Sequence, residues 1–213
     1  MTQQPNDITR DRLLDQAERL FAEKGYDAVS VRTITHAAEC NLAAVNYHFG
    51  SKMTLYLEVF RQRWVPRTRR IRGCVLSMLS ETQFPEVKDV ARAVACAFLE
   101  GPISDEERRR HVQLMQREMT TPTEALDMVV NEVMVPFQKE LGQFVRPHLP
   151  ADVDEESLRL SLLSILGMTL YFTIARPAVS RLTGREYDDA FKSRLIDHIT
   201  AFSIDGINAL KKD

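Results

Sequence analysis

Asn46, Tyr47, His48 and Lys52 crowd one short stretch, and each carries a tip suited to a nucleic acid. An asparagine amide can pair with the N6 and N7 edge of adenine. A phenol, an imidazole and an ammonium can each reach a phosphate oxygen. Leu42, Ala43 and Ala44 come just before them. Side chains that small let a helix approach the floor of a major groove. Arg32 adds a cation upstream. Each residue also has an ordinary reading. Asn46 could be a solvated polar residue, His48 a local hydrogen-bonding residue and Arg32 a surface ion-pair partner.

The segment SVRTITHAAECNLAAVNYHFGSK, Ser30 to Lys52, supplies the frame. Ser30 is placed to cap one short helix and Asn41 a second, with a tight turn between them. Val45 and Phe49, four apart, can anchor the second helix in a core. Gly50 ends it, and Ser51 can cap a long helix reaching about Ser80. Before the motif, Leu13, Leu14, Ala17, Leu20 and Phe21 form one apolar stripe on a helix over 10–24.

The rest of the chain also reads as helix, with no strand pattern. Helices are expected over 85–99, 104–119, 121–145, 155–181 and 189–211. Ser104 with Glu107 forms a capping box, and Thr121, Pro122 and Glu124 suggest another. The expected fold is therefore all-α with about nine helices. A three-helix head over 1–52 precedes a helical body over 53–213. Pro66 should kink the long fourth helix.

Composition narrows the classes. The net charge of -2 does not by itself point to DNA, so that reading rests on local residues. The three cysteines are widely spaced and lack metal-ligand spacing, as in a reduced, cytoplasmic protein. No cofactor or metal is expected. The five histidines are scattered, and HExxH, GxSxG, P-loop and GxGxxG motifs are absent, so no catalytic residue is expected. The start, MTQQPNDITRDR, has no apolar signal core. The run LSLLSILGMTLYFTIA, at about 24 Å as a helix, falls short of a bilayer core of about 30 Å. It reads as a buried helix, and no membrane partner is expected.

The stretch Tyr47-His48-Phe49-Gly50-Ser51-Lys52 resembles the hallmark of the TetR family of bacterial regulators. The later segment LRLSLLSILGMTLYFTIARPAVSRL resembles that family's CecR-like branch. The family motif covers about the first quarter of the chain. The resemblance implies DNA contacts from Arg32, Leu42, Ala43, Ala44, Asn46, Tyr47, His48 and Lys52. It further implies a ligand-responsive regulator of transcription, expected to be a repressor, that binds a palindromic operator in double-stranded DNA. The branch suggests control of efflux or drug-sensitivity genes. One departure stands out: Glu39 occupies the family's usual turn glycine. A positive φ there costs on the order of 1 kcal/mol and sets a negative charge near DNA.

The 160–175 run is apolar nearly all round, which one monomer can seldom bury. A second copy can, so a homodimer through the last two helices is expected, as the family resemblance also implies. Phe98, Met115, Met128, Phe137, Met168, Tyr171 and Phe172 are candidates to line a cavity for a small apolar or amphipathic effector. Arg117 and Glu118 are candidate polar anchors at its rim. Ordinary core packing is the alternative for each. The arginine run at 61, 63, 67, 69, 70 and 72 could steer DNA at long range or pair with acids of the body. The rival to the whole reading is a helical protein-interaction module with weakened DNA binding.

Overall fold

The computed structural model describes residues 5–208, which hold helices and no strand. The described chain divides into two compact units. One holds the residues up to Thr68 together with Ile103–Val133, and the other Arg69–Pro102 together with the residues from Met134 on.

The first unit contains α1 (Pro5–Lys24), α2 (Val31–Ala37), α3 (Ala43–Phe49) and α4 (Lys52–Val59). A π turn, Phe60–Trp64, leads into α5 (Val65–Ser80), whose start belongs here. The π turn answers Pro66. Proline offers no N–H and crowds the carbonyl four residues back. Widening the turn, with the Val65 amide donating to the Phe60 carbonyl, carries the helix through. A second π turn, Val130–Met134, likewise precedes Pro136. The unit is completed by α7 (Asp105–Thr120) and α8 (Glu124–Val129). Ser104 and Glu107 form the expected capping box on α7. The expected box at Thr121 is not there: Thr123 caps α8, and Pro122 lies before the cap. The reason is Glu118, whose carboxylate accepts from the Thr123 amide at 2.9 Å and from its hydroxyl at 3.0 Å, which fixes where α8 begins.

The core of this unit is Leu13, Leu14, Phe21, Ile34, Val45 and Leu55, all fully buried. Tyr56 meets Phe21 edge-on at 4.8 Å and donates its hydroxyl to Glu118 at 2.6 Å. Arg67 pairs with the buried Glu18 of α1 and with Glu107 at 3.5 Å. Arg110 also reaches Glu18, at 3.4 Å.

The second unit takes the remainder of α5 with α6 (Val87–Leu99), α9 (Val135–Val145), α10 (Glu155–Ile174), α11 (Arg176–Thr183) and α12 (Asp189–Asn208). Four alanines, Ala91, Ala93, Ala95 and Ala97, keep α6 thin where it packs on α12. Ala95 and Leu99 meet Val179, Phe191, Leu195, Ile196 and Ile199. The single helix expected over 155–181 is two. Pro177 sits in the first turn of α11, so α10 stops at Ile174. With each π-turned helix counted once, the described residues form ten helices rather than nine.

α10 is not the buried helix the sequence suggested. Leu158, Leu162, Ile165, Thr169 and Thr173 are buried, but Leu160, Leu163, Tyr171 and Ile174 are exposed. At 100° per residue the two sets occupy opposite sides. At 20 residues the helix is also longer than the apolar run alone, and by length and composition it passes as a membrane span.

His111 gives the first unit a pH dependence. Its ring stacks on Trp64 at 4.4 Å, and its Nδ1 is buried without a hydrogen-bond partner. Burial, with the Arg67 and Arg108 charges, pushes its pKa down to about 3. Unfolding frees the ring to take a proton near pH 6.5. A base with a depressed folded pKa stabilises the fold least below its unfolded pKa, so stability falls as pH drops from about 6.5 toward 3. Between pH 7 and pH 5 the loss is about 2 kcal/mol. Urea unfolding at both values should show it, and His111→Phe should remove most of the difference. An unchanged pH slope in that variant would assign the effect elsewhere.

Candidate nucleic-acid interface

The Ser30 hydroxyl accepts from the Thr33 amide at 3.0 Å and starts α2. α2 closes with Cys40 N–H donating to the Thr35 carbonyl at 2.9 Å and Glu39 N–H to the His36 carbonyl at 3.1 Å. This is a Schellman closure, whose left-handed residue is usually glycine. Here it is Glu39, at φ +51°. Its carboxylate pairs with Arg12 at 3.0 Å in a solvent-exposed contact. Asn41 then accepts from the Ala43 amide at 2.9 Å through its side chain, the capping its sequence position suggested.

α3 is held by Val45 and Phe49, both buried. Arg10 lies over the Phe49 ring at 5.2 Å and bonds Glu58 at 3.1 Å, tying α1 to the anchor of α3. With one face fixed, the other is presented. Leu42, Ala43, Asn46 and Tyr47 are exposed, Tyr47 by 75%. Ala44 and His48 are half-buried on the flanks, with His48 edge-on to Tyr47 at 5.0 Å. Arg32 is exposed on α2 and makes no ion pair among the described residues. Gly50, at φ +76°, ends α3, and the Ser51 hydroxyl accepts from the Thr54 amide to start α4. Lys52, in that first turn, holds its ammonium 4.1 Å from the centre of the Tyr26 ring. Partial burial lowers its pKa, with Asp27 opposing the shift. Sequence reasoning did not single out Tyr26; its place directly after Gly25 was the available signal.

The two short helices, the turn and the outward polar face are the geometry of a helix-turn-helix reader. Two family models match the chain. Residues 13–59 match bacterial regulatory proteins of the tetR family. Residues 87–207, more than half the chain, match the C-terminal domain of the HTH-type transcriptional dual regulator CecR. The chain belongs to the TetR family. It is a DNA-binding transcriptional regulator, not an enzyme. CecR of Shigella flexneri is 24% identical over 202 residues, which covers 92% of this chain and 89% of that protein. The transcriptional repressor AcnR of Corynebacterium glutamicum is 25% identical over 177 residues, or 82% and 81%. The TetR-family regulator PfmR of Thermus thermophilus superposes with a TM-score of 0.60 at 20% identity, covering 97% of each chain.

The candidate effector residues fall in both units. Met115, Arg117, Glu118 and Met128 lie in the first unit, and Phe98, Phe137, Met168, Tyr171 and Phe172 in the second. Glu118 is no rim residue: it has no exposed surface and is bonded to Tyr56 and Thr123. Arg117 donates to the Glu23 carbonyl at 2.6 Å. Phe137 is buried, and Met168 and Phe172 pack against the Phe191 cluster. Tyr171 lies on the exposed side of α10. The arginine run is largely matched internally. Arg61 meets Glu58 at 3.3 Å, Arg63 meets Asp15 at 2.8 Å, and Arg67 meets Glu18. Arg72 donates through Nε to Glu140 at 2.7 Å. Pairing with acids, rather than steering of DNA, accounts for these four.

Glu39→Gly should stabilise the protein by about 0.5–1 kcal/mol. Relief of the left-handed strain exceeds the entropy glycine gains on unfolding. The exposed ion pair with Arg12 contributes little against this. A urea midpoint equal to or below that of the parent would show that Glu39 is not strained.

Proposed function

We propose that the chain is a ligand-responsive repressor that binds a palindromic operator as a homodimer and is released by a small effector. The exposed face of α3 carries this reading. Asn46 is assigned to a base edge, Tyr47, His48 and Lys52 to phosphates, and Leu42, Ala43 and Ala44 to close apolar approach. Arg32 is assigned to the DNA backbone from α2. The uncovered side of α10, continued by Phe202 on α12, is the dimer surface. Twofold symmetry of the protein then requires twofold symmetry of the operator. The relative AcnR is named a repressor and CecR a dual regulator, which favours a protein that acts by occupying promoters. Control of efflux or drug-sensitivity genes rests on the CecR-like resemblance alone. The cytoplasm is the compartment such a regulator needs.

Glu39 is the observation that favours the rival, a helical interaction module with weakened DNA binding. Its side chain is 85% exposed, next to the reading helix. Selection from a random duplex library separates the two. The regulator enriches a palindrome; the module enriches nothing at moderate salt. Asn46→Ala should relax one position in each half-site, at about 1–3 kcal/mol. Lys52→Ala should weaken all sequences alike and lower the salt slope by about one.

The pairing of chains has its own test. Leu163→Glu combined with Tyr171→Glu should give a folded monomer by sedimentation. Operator affinity should fall on the order of a hundredfold as the two half-sites cease to be bound together. A dimer that survives both charges would place the interface elsewhere.

A further inference from the structure

A groove of about 610 Å³ runs between α9 and α10, inside the second unit. None of the nine candidate effector residues lines it. Its size is that of a small-molecule site. The floor is apolar: Leu158 and Leu162 of α10 face Gly142 of α9, where a Cβ would already touch both leucines, at 3.7 and 3.8 Å. Glycine at this position lets α9 and α10 pack closely at the floor. Gln138 donates to the Arg159 carbonyl at 3.3 Å and joins the two walls.

The rim is cationic. Lys139, Arg146 and Arg159 line it against one acid, Glu155. Arg146 spends its N–H groups on the carbonyls of Pro150, Ala151 and Val153, which hold the rim loop but leave its charge unmatched. Lys139 and Arg159 are exposed and have no ion-pair partner among the described residues. Unmatched positive charge over an apolar floor selects one class of ligand.

We propose that this groove binds an amphipathic anion, with its apolar body on Leu158 and Leu162 and its carboxylate between Lys139 and Arg159. Binding depends only on the groove. That such a ligand also changes DNA affinity rests on the regulatory reading above.

Calorimetric titration with dodecanoate, kept below its micelle concentration, tests the site directly. Dodecanol and dodecyltrimethylammonium serve as neutral and cationic comparisons. Dodecanoate should bind, dodecanol more weakly, and the cation not measurably. Lys139→Glu with Arg159→Glu should weaken dodecanoate at least about tenfold, with Lys139→Gln and Arg159→Gln as the milder pair should the charge reversal perturb folding. Operator binding by the ligand-free variants should equal that of the parent, because neither side chain is on the DNA face. Equal affinity for the three amphiphiles, or undiminished dodecanoate binding by the variants, overturns the proposal. So does a shift from dimer to monomer in the charge-reversed protein, which would make a second copy the occupant. If the parent binds dodecanoate but no DNA sequence, the groove stands and the regulatory reading fails.

Discussion

Glu18 carries its carboxylate where almost no water reaches, with a side chain 1% exposed. A charge taken out of water is tolerated only beside a matching one with good geometry. Arg67 and Arg110 provide the match from α5 and α7. Losing either arginine would leave a buried charge short of partners, a cost of several kcal/mol. The pair therefore fixes α1 against α5 and α7 more firmly than apolar contact alone. Glu118 repeats the device from α7, accepting from Tyr56 on α4 and from the start of α8. Helices far along the chain are thus built into the unit that carries the reading motif. A small head with few apolar side chains gains core from them.

These buried acids also explain what the sequence could and could not disclose. Ser30, Asn41, Ser51 and the Ser104–Glu107 box act within three residues of themselves, so a local reading found them. Val45 and Phe49 were legible as anchors because four-residue spacing puts both on one side of a helix. Tyr56 and Glu118 lie 62 residues apart, and Arg67 and Glu18 lie 49 apart. Nothing local marks such partners. Glu118 consequently looked like a polar residue awaiting a ligand, and for the arginine run steering of DNA and pairing with acids of the body both stayed open. The methionine and aromatic residues meet a different limit. Spacing tells which residues are apolar, but not whether space is left between them. The groove between α9 and α10 is set by how the two helices pack on each other, which no sequence pattern signals.

α10 poses the last physical question: what covers its outer side. Leu160, Leu163, Tyr171 and Ile174 face away from the core, with Ser164 and Gly167 between them. A lipid environment would suit the leucines but not the helix as a whole. Glu155, Glu156 and Arg159 occupy its first turns. The stretch left free of charge, Leu160 to Ile174, is about 22 Å long, short of a hydrocarbon core of about 30 Å. Its buried side, moreover, is already committed to protein through Ile165, Thr169 and Thr173. A surface that is apolar on one side and bounded by charge at its start matches the face of another helix better than a bilayer. The small residues Ser164 and Gly167 add to this, since they let two backbones approach closely and let tyrosine and leucine from a second chain seat between them. The same chemistry that leaves the helix unfinished in one chain supports its completion by two.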